Sequence, residues 1–202
     1  MNQMSEKSKR IEFSDRIEYR LNGKLHREDG PAIERTSGTK EWYFNGKLHR
    51  LDGPADAEHR QAMPAVERAN GHKSWFIDGK LHRLGGPAIE STDGYKEWWV
   101  DGKRHRIDGP AVKWIDGSKA WWVDGKRHRL DGPAIEWADG SKEWYIDGKR
   151  HRLDGPAVER VSGDKEWYFM GRKVSKPELD NFRLKTLTLS FVVNRRIWQR
   201  TI

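Results

Sequence analysis

The sequence predicts an all-β fold: an elongated, twisted antiparallel array of short β-hairpin repeats with a short helical cap at its C-terminal end. Three observations predict it. Tryptophans recur at 42, 75, 98, 121, 144 and 167 and histidines at 26, 49, 82, 105, 128 and 151, a spacing of 23 residues broken by one gap of 33. A fixed period of this size marks units that bury their apolar sides only against their neighbours. Asn-Gly or Asp-Gly recurs at 22–23, 45–46, 78–79, 101–102, 124–125 and 147–148, and these dipeptides favour a type I′ hairpin because both residues take φ > 0. The residues before each turn alternate and are rich in Trp, Tyr, Phe, Val and Ile, as in Lys96-Glu97-Trp98-Trp99-Val100, which favours a strand.

Taken in order, residues 1–16 read as an N-terminal lead-in in which Ser8 to Phe13 forms a short strand. The repeat array spans 17–171 and opens on a degenerate unit at Ile17 to Leu21, as capping units usually do. Within a repeat, a two-residue turn pairs Val100 with Lys103, Trp99 with Arg104, Trp98 with His105 and Glu97 with Arg106. Directly opposed side chains share a face. One face therefore carries Trp98, Val100 and His105, and the other carries Trp99 and a Glu97–Arg106 ladder repeated as Glu41–Arg50 and Glu143–Arg152. After Asp-Gly-Pro, Ala111 to Trp114 forms a third short segment closed by Asp116-Gly117. The long gap holds a ten-residue insertion assigned to 56–65, read either as a functional loop or as a tolerated surface insertion. Residues 172–202 form a basic C-terminal cap. In it Ser175-Lys176-Pro177-Glu178 is a capping box that starts a helix through about Leu184, and the structure beyond Lys185 stays undetermined between helix and strand. Leu179, Phe182, Leu187, Leu189 and Phe191 favour a cap on the last repeat over a basic arm.

Composition constrains partners more than fold. Eleven tryptophans argue for an ordered core in a chain whose charged fraction is 35%. The net charge of +8 is carried by residues 170–202 (+6) and 1–10 (+2), so the repeat body is neutral. Nucleic-acid binding depends on unbalanced Lys and Arg, which places that capacity in the tail. The absence of cysteine excludes disulfides and thiolate metal sites and suits a reducing cytoplasm. No apolar run reaches the ~18 residues of a membrane helix, so no membrane insertion is expected.

The run Trp99 to His105, Trp-x-Asp-Gly-Lys-Arg-His, followed by a turn of small residues, a short apolar segment and Asp116-Gly117-Ser118, resembles the MORN repeat over residues 17–171. The chain departs from that family where a Gly-x-Gly would follow the His. Here it reads Arg106-x-Asp108-Gly109-Pro110-Ala111, a variant similar to repeat proteins of phages, bacteria and giant viruses. The resemblance implies a hairpin array that serves as a protein-interaction or dimerisation scaffold, in some members a phosphoinositide binder, and not an enzyme by virtue of the repeat.

His105-x-x-Asp108 could suggest acid–base chemistry, but it recurs at His26/Asp29, His49/Asp52, His128/Asp131 and His151/Asp154. A catalyst needs one preorganised site, so the repeated His is expected to stack on Trp and bond the Asp-Gly turn. The sequence thus assigns no catalytic residue, no metal site and no cofactor. The central repeats differ from the rest, since Leu25, Leu48 and Leu81 give way to Arg104, Arg127 and Arg150, and Arg35, Arg68 and Ser91 to Trp114 and Trp137. Arg104 opposite Trp99 and Arg127 opposite Trp122 are cation–π neighbours, with Tyr145 in the same column. Trp99, Arg104, Trp114, Trp122, Arg127, Trp137, Tyr145 and Arg150 are the expected partner-binding face, either exposed as hot spots or packed under a second layer.

Two readings of function follow. In the first, the chain is a non-enzymatic scaffold for a protein partner, a second copy of itself included. The viral resemblance then implies a protein that binds or inhibits a host factor in the host cytoplasm. In the second, it binds nucleic acid, a nucleotide or an anionic lipid head group, with bases on Trp99 and Trp122 and phosphates on Arg104, Arg127, Arg150 and the tail. An enzyme would need a unique polar cluster, and only Glu58, His59 and Arg60 in the insertion come near one.

Overall fold

The structure, a computed structural model, describes residues 7–50 and 63–184. Glu58, His59 and Arg60, and the segment from Lys185 onward whose structure was undetermined, fall outside that range. The chain forms two compact units, 1–116 and 117–202, both made of the same repeat. Among the described residues the fold is all-β with one short helix, as the sequence predicts.

In the first unit, Lys9–Glu12 pairs antiparallel with Arg16–Leu21, and the sheet continues through Ile33–Arg35, Lys40–Glu41, Val66–Glu67, Lys73–Ser74, Ile89–Glu90, Lys96–Glu97 and Val112–Lys113. In the second it runs through Lys119–Ala120, Ile135–Glu136, Lys142–Glu143, Val158–Glu159, Lys165–Phe169 and Arg172–Val174. Most of these strands are two residues long. Ile89–Glu90 and Ile135–Glu136, for example, are held in register by antiparallel neighbours on both sides.

Between successive ladder strands the chain makes a separate hairpin. Trp99–Val100 pairs with Lys103–Arg104 in the expected register. Asp101 and Gly102 take φ of 49° and 77°, the two left-handed residues of a type I′ turn. The Gly102 N–H donates to the Leu81 carbonyl at 2.9 Å, and Gly46, Gly79, Gly148 and Gly171 make the same bond to Leu25, Leu48, Arg127 and Arg150. Every hairpin tip in this set is thus hooked onto the return strand of the hairpin before it.

The predicted ladder between Glu97 and Arg106 does not form. Beyond Trp99 the chain leaves the hairpin: the Trp98 N–H donates to the Ala111 carbonyl at 2.8 Å, and Glu97 pairs with Val112 and Ile89 in the main sheet. Glu41 and Glu143 likewise pair with Val66 and Val158, so Arg50 and Arg152 are not opposite them. The His105 N–H still donates to the Trp98 carbonyl, at 3.1 Å.

The core is smaller than a tryptophan column. Ala32, Ala88, Ala111, Ala134 and Ala157 are fully buried, and each carbonyl accepts the N–H of the aromatic residue that starts a hairpin. Val112, Ile135 and Val158 are buried beside them. Trp42 and Trp75 are buried, but Trp98, Trp121, Trp144 and Trp167 are half-buried, which corrects the expectation that all of them form the core. Pro64 and Ala65 are buried in the repeat position, with the Ala65 carbonyl accepting from Trp42, so the insertion ends before them.

At the C-terminal end a helix covers 176–184 among the described residues. Its capping box is made: the Ser175 N–H donates to the Glu178 carboxylate at 2.7 Å, and the Glu178 N–H to the Ser175 hydroxyl at 3.4 Å. Leu179 is buried and the Phe182 ring stacks on Phe169 at 4.4 Å, so this helix caps the last hairpin.

Candidate functional site

Two sets of side chains recur around the hairpins. The first is structural. Arg106 lies over the Trp98 ring with Cζ 4.1 Å from its centre, donates from Nε to Asp108 at 2.9 Å, and reaches the Pro110 carbonyl at 3.4 Å. Arg27, Arg50, Arg83, Arg129 and Arg152 sit the same way over Tyr19, Trp42, Trp75, Trp121 and Trp144, and each also donates to a Glu seven or more residues on. The arginine beside them holds the Asp108, Asp131 and Asp154 carboxyls below their ordinary range. Asp108 is therefore the arginine's partner and not a base orienting His105.

The histidines are also structural, and the expected bond to an Asn-Gly or Asp-Gly turn is made. They bond the turn of the next hairpin: Asn45, Asp78, Asp101, Asp147 and Met170 donate their backbone N–H to Nδ1 of His26, His49, His82, His128 and His151 at 3.1 to 3.3 Å. Ring contacts to phenylalanine are made between His26 and Phe44 at 4.7 Å and between His151 and Phe169 at 5.2 Å. Among the described residues, no three His, Asp or Glu side chains converge as a metal would require.

The second set lies on the Trp99 side and is built on buried carboxylates. Glu97 is 3% exposed and accepts from the Tyr95 hydroxyl, from Trp99 Nε1 and from Arg104 Nη2, the last at 3.0 Å. Glu143 repeats this with the Tyr145 hydroxyl at 2.9 Å, Arg150 Nη2 at 2.9 Å and Trp137 Nε1 at 3.3 Å. Burial alone would raise the Glu143 pKa, yet the bonds from Tyr145 and Arg150 outweigh it and hold the carboxyl below its ordinary value. In the outer repeats Glu41 takes Arg35 and Tyr43, and burial beside Glu41 pushes the Tyr43 hydroxyl up to about 12.

The predicted partner-binding residues fall in both units. In the first, Trp99 and Arg104 meet at 5.1 Å over Glu97, and Trp114 is half-buried. In the second, cations and rings alternate: Arg127 is 5.3 Å from both Trp122 and Tyr145, and Arg150 is 5.9 Å from Tyr145 and 5.3 Å from Tyr168. Trp137 is 40% exposed. Tyr145, expected on the contact face, is buried at 7% exposure and serves as a support for the two arginines.

Sequence reasoning missed the carboxylates because it placed Glu97 opposite Arg106. Laying the repeats over one another shows the column directly: Glu18, Glu41, Ser74, Glu97, Ala120, Glu143, Glu166. No protein-family model matches the chain, and no curated protein matches it.

Proposed function

We propose that this chain is a non-enzymatic binding scaffold that recognises a protein partner through the aromatic and arginine side of its second unit. One observation carries the reading: Arg127 and Arg150 are held between Trp122, Tyr145 and Tyr168, with Trp137 exposed beside Glu143. Tryptophan and arginine set on a rigid frame are the residue types that dominate protein interfaces, because they bring large contact area at little cost in conformational freedom. The role of a phage or viral protein acting on a host factor in the cytoplasm belongs to the same proposal and rests on the MORN-like resemblance alone.

The test is recovery of a partner from host lysate by the wild type and by Trp137→Ala/Arg127→Ala, with melting curves to show that both fold. Loss of the partner by the folded double variant supports the reading. Equal recovery by both places the interface elsewhere.

A second reading, binding of a nucleotide or nucleic acid, is favoured by one observation in the first unit. Lys113 stands where other repeats carry Glu, directly opposite Lys96, with its Nζ 5.5 Å from the Trp98 ring. Binding that weakens steeply with salt would favour this reading, and binding that barely changes would favour the first.

A further inference from the structure

The repeats solve one problem in two ways, and a single repeat does neither. Where the return strand carries arginine, the ladder strand of that repeat carries glutamate: Glu97 takes Arg104 through Nε at 3.3 Å and Nη2 at 3.0 Å, and Glu143 takes Arg150 through Nε at 3.1 Å and Nη2 at 2.9 Å. Where the ladder strand has lost its carboxylate, as at Ser74, the return strand carries Leu81 and the ring is Phe76, so no arginine stands at the position that would need that carboxylate. The repeat that starts at Lys119–Ala120 keeps the arginine, Arg127, and loses the glutamate.

The consequence is visible at Arg127. Its Nε is buried and has no hydrogen-bond partner. Among the described residues no carboxylate forms an ion pair with it. Its one neutral acceptor is the Tyr145 hydroxyl, 3.4 Å from Nη1, and that hydroxyl already gives its proton to Glu143. Ala120 is fully buried opposite Ile135, so nothing on the ladder strand can reach the guanidinium. A buried donor on a charged group without an acceptor is costly, and proteins usually remove it or satisfy it. Here the guanidinium is held by the Trp122 and Tyr145 rings and is therefore oriented before any ligand arrives.

We propose that Arg127 is a carboxylate-binding site, filled by a Glu or Asp side chain of the protein partner that takes the place the repeat's own glutamate holds elsewhere. The inference rests on the reading that a protein meets this side of the second unit. The neighbouring repeats define the ligand chemistry. Arg104 presents its Nε and Nη2 edge to the two oxygens of the Glu97 carboxylate, Arg150 presents the same edge to one oxygen of Glu143, and the same edge of Arg127 calls for a carboxylate acceptor. Arg127 as a whole is half-buried, so the side chain is in part open to solvent although Nε is not.

The test follows the Nε–H resonance of Arg127 by two-dimensional ¹H–¹⁵N NMR, assigned by its loss in Arg127→Leu. Sodium acetate is titrated against sodium chloride at matched ionic strength, with sodium phosphate as a third arm. The expected result is a saturable downfield shift with acetate only. Ala120→Glu and Arg127→Leu each install a solution that other repeats use, so both are expected to raise the melting temperature and abolish the response to acetate. Should Ala120→Glu fail to fold, Arg127→Leu and the wild-type titration still decide. No saturable shift, the same shift with chloride, or a shift with phosphate alone overturns the proposal. If acetate binds while folded Ala120→Glu captures the partner as the wild type does, the partner's carboxylate is not the occupant and the proposal falls, whereas the scaffold reading stands. That reading fails separately, if Trp137→Ala/Arg127→Ala leaves capture unchanged.

Discussion

The backbone N–H of Asp101 donates to Nδ1 of His82, nineteen residues earlier, at 3.2 Å. The Asp101 carboxylate oxygen lies 3.0 Å from the same nitrogen. Two oppositely directed bonds cannot share one ring nitrogen. The backbone N–H is always a donor, so in that bond Nδ1 is the acceptor.

At His151 the residue donating its N–H to Nδ1 is Met170, which brings no carboxylate to the ring. Burial pushes the His151 pKa below its ordinary value. A histidine whose folded pKa is depressed lets the unfolded state bind protons first. Its contribution is complete above the unfolded value of about 6.5 and is lost as pH falls below it. The melting temperature of the wild type should therefore drop between about pH 7.5 and 5.5, before carboxylate protonation begins near pH 4. His151→Gln should be less stable at pH 7.5 and show a shallower fall over that window. An equal slope in both proteins would show that His151 is not the group responsible.

Met170 itself occupies a strained place. Its φ is 48°, the left-handed conformation that Asn22, Asn45, Asp78, Asp101, Asp124 and Asp147 adopt in the equivalent turns. Left-handed backbone costs an ordinary side chain roughly 1–2 kcal/mol and costs Asn or Asp less. Met170→Asn should gain about 0.5–1 kcal/mol, measured by urea unfolding with an unchanged slope. Met170→Asp should gain as much at neutral pH and keep more of it near pH 5.5, because its carboxylate can receive a proton carried by His151.

Much of the fold was legible because local rules decided it. The Asp101-Gly102 turn, the Trp99–Arg104 pairing and the Ser175/Glu178 cap each depend on residues within a few positions of one another. The ladder strand was not legible in this way. Whether Glu97 continues the hairpin or joins Val112 depends on the Trp98 N–H finding the Ala111 carbonyl, a competition between two partners that period-two alternation cannot express. That one departure moved the carboxylates to the side of Arg104 and Arg150 and hid the exception at Ala120. The Arg127–Trp122 contact, by contrast, was readable from turn register alone.

The alanines after Asp-Gly-Pro leave no room for growth. Ala134 is fully buried and its carbonyl accepts the Trp121 N–H at 2.8 Å. A larger side chain there must push the strand Ile135–Glu136 away from Lys119–Ala120 or Lys142–Glu143, and both ladders are only two residues long. Ala134→Leu should lose about 1–3 kcal/mol or more, the usual cost of overpacking, instead of gaining from added apolar burial. A neutral result in thermal unfolding would mean that the site is looser than its burial indicates.

The clamp at Arg129 allows stability and electrostatics to be tested on one residue. Its Cζ lies 3.9 Å from the centre of the Trp121 ring, Nε donates to Asp131 at 2.9 Å, and Nη1 donates to the Pro133 carbonyl at 3.2 Å and to Glu136 at 2.9 Å. The guanidinium is seated so closely that a Cβ added at Gly132 would lie 3.0 Å from Cζ. A lysine ammonium keeps the charge but cannot lie flat on the ring and reach these acceptors together. Arg129→Lys should therefore cost about 1–3 kcal/mol although net charge is unchanged. Gly132→Ala should cost about 1 kcal/mol by forcing the guanidinium off its seat. Asp131 supplies an independent readout, since the bond from Arg129 holds its carboxyl below the ordinary range. In Arg129→Lys that carboxyl, followed by NMR titration, should move back toward about 3.9. A destabilised variant in which Asp131 still titrates low would show that the aromatic stack, and not the Arg-x-Asp bond, is what the arginine contributes.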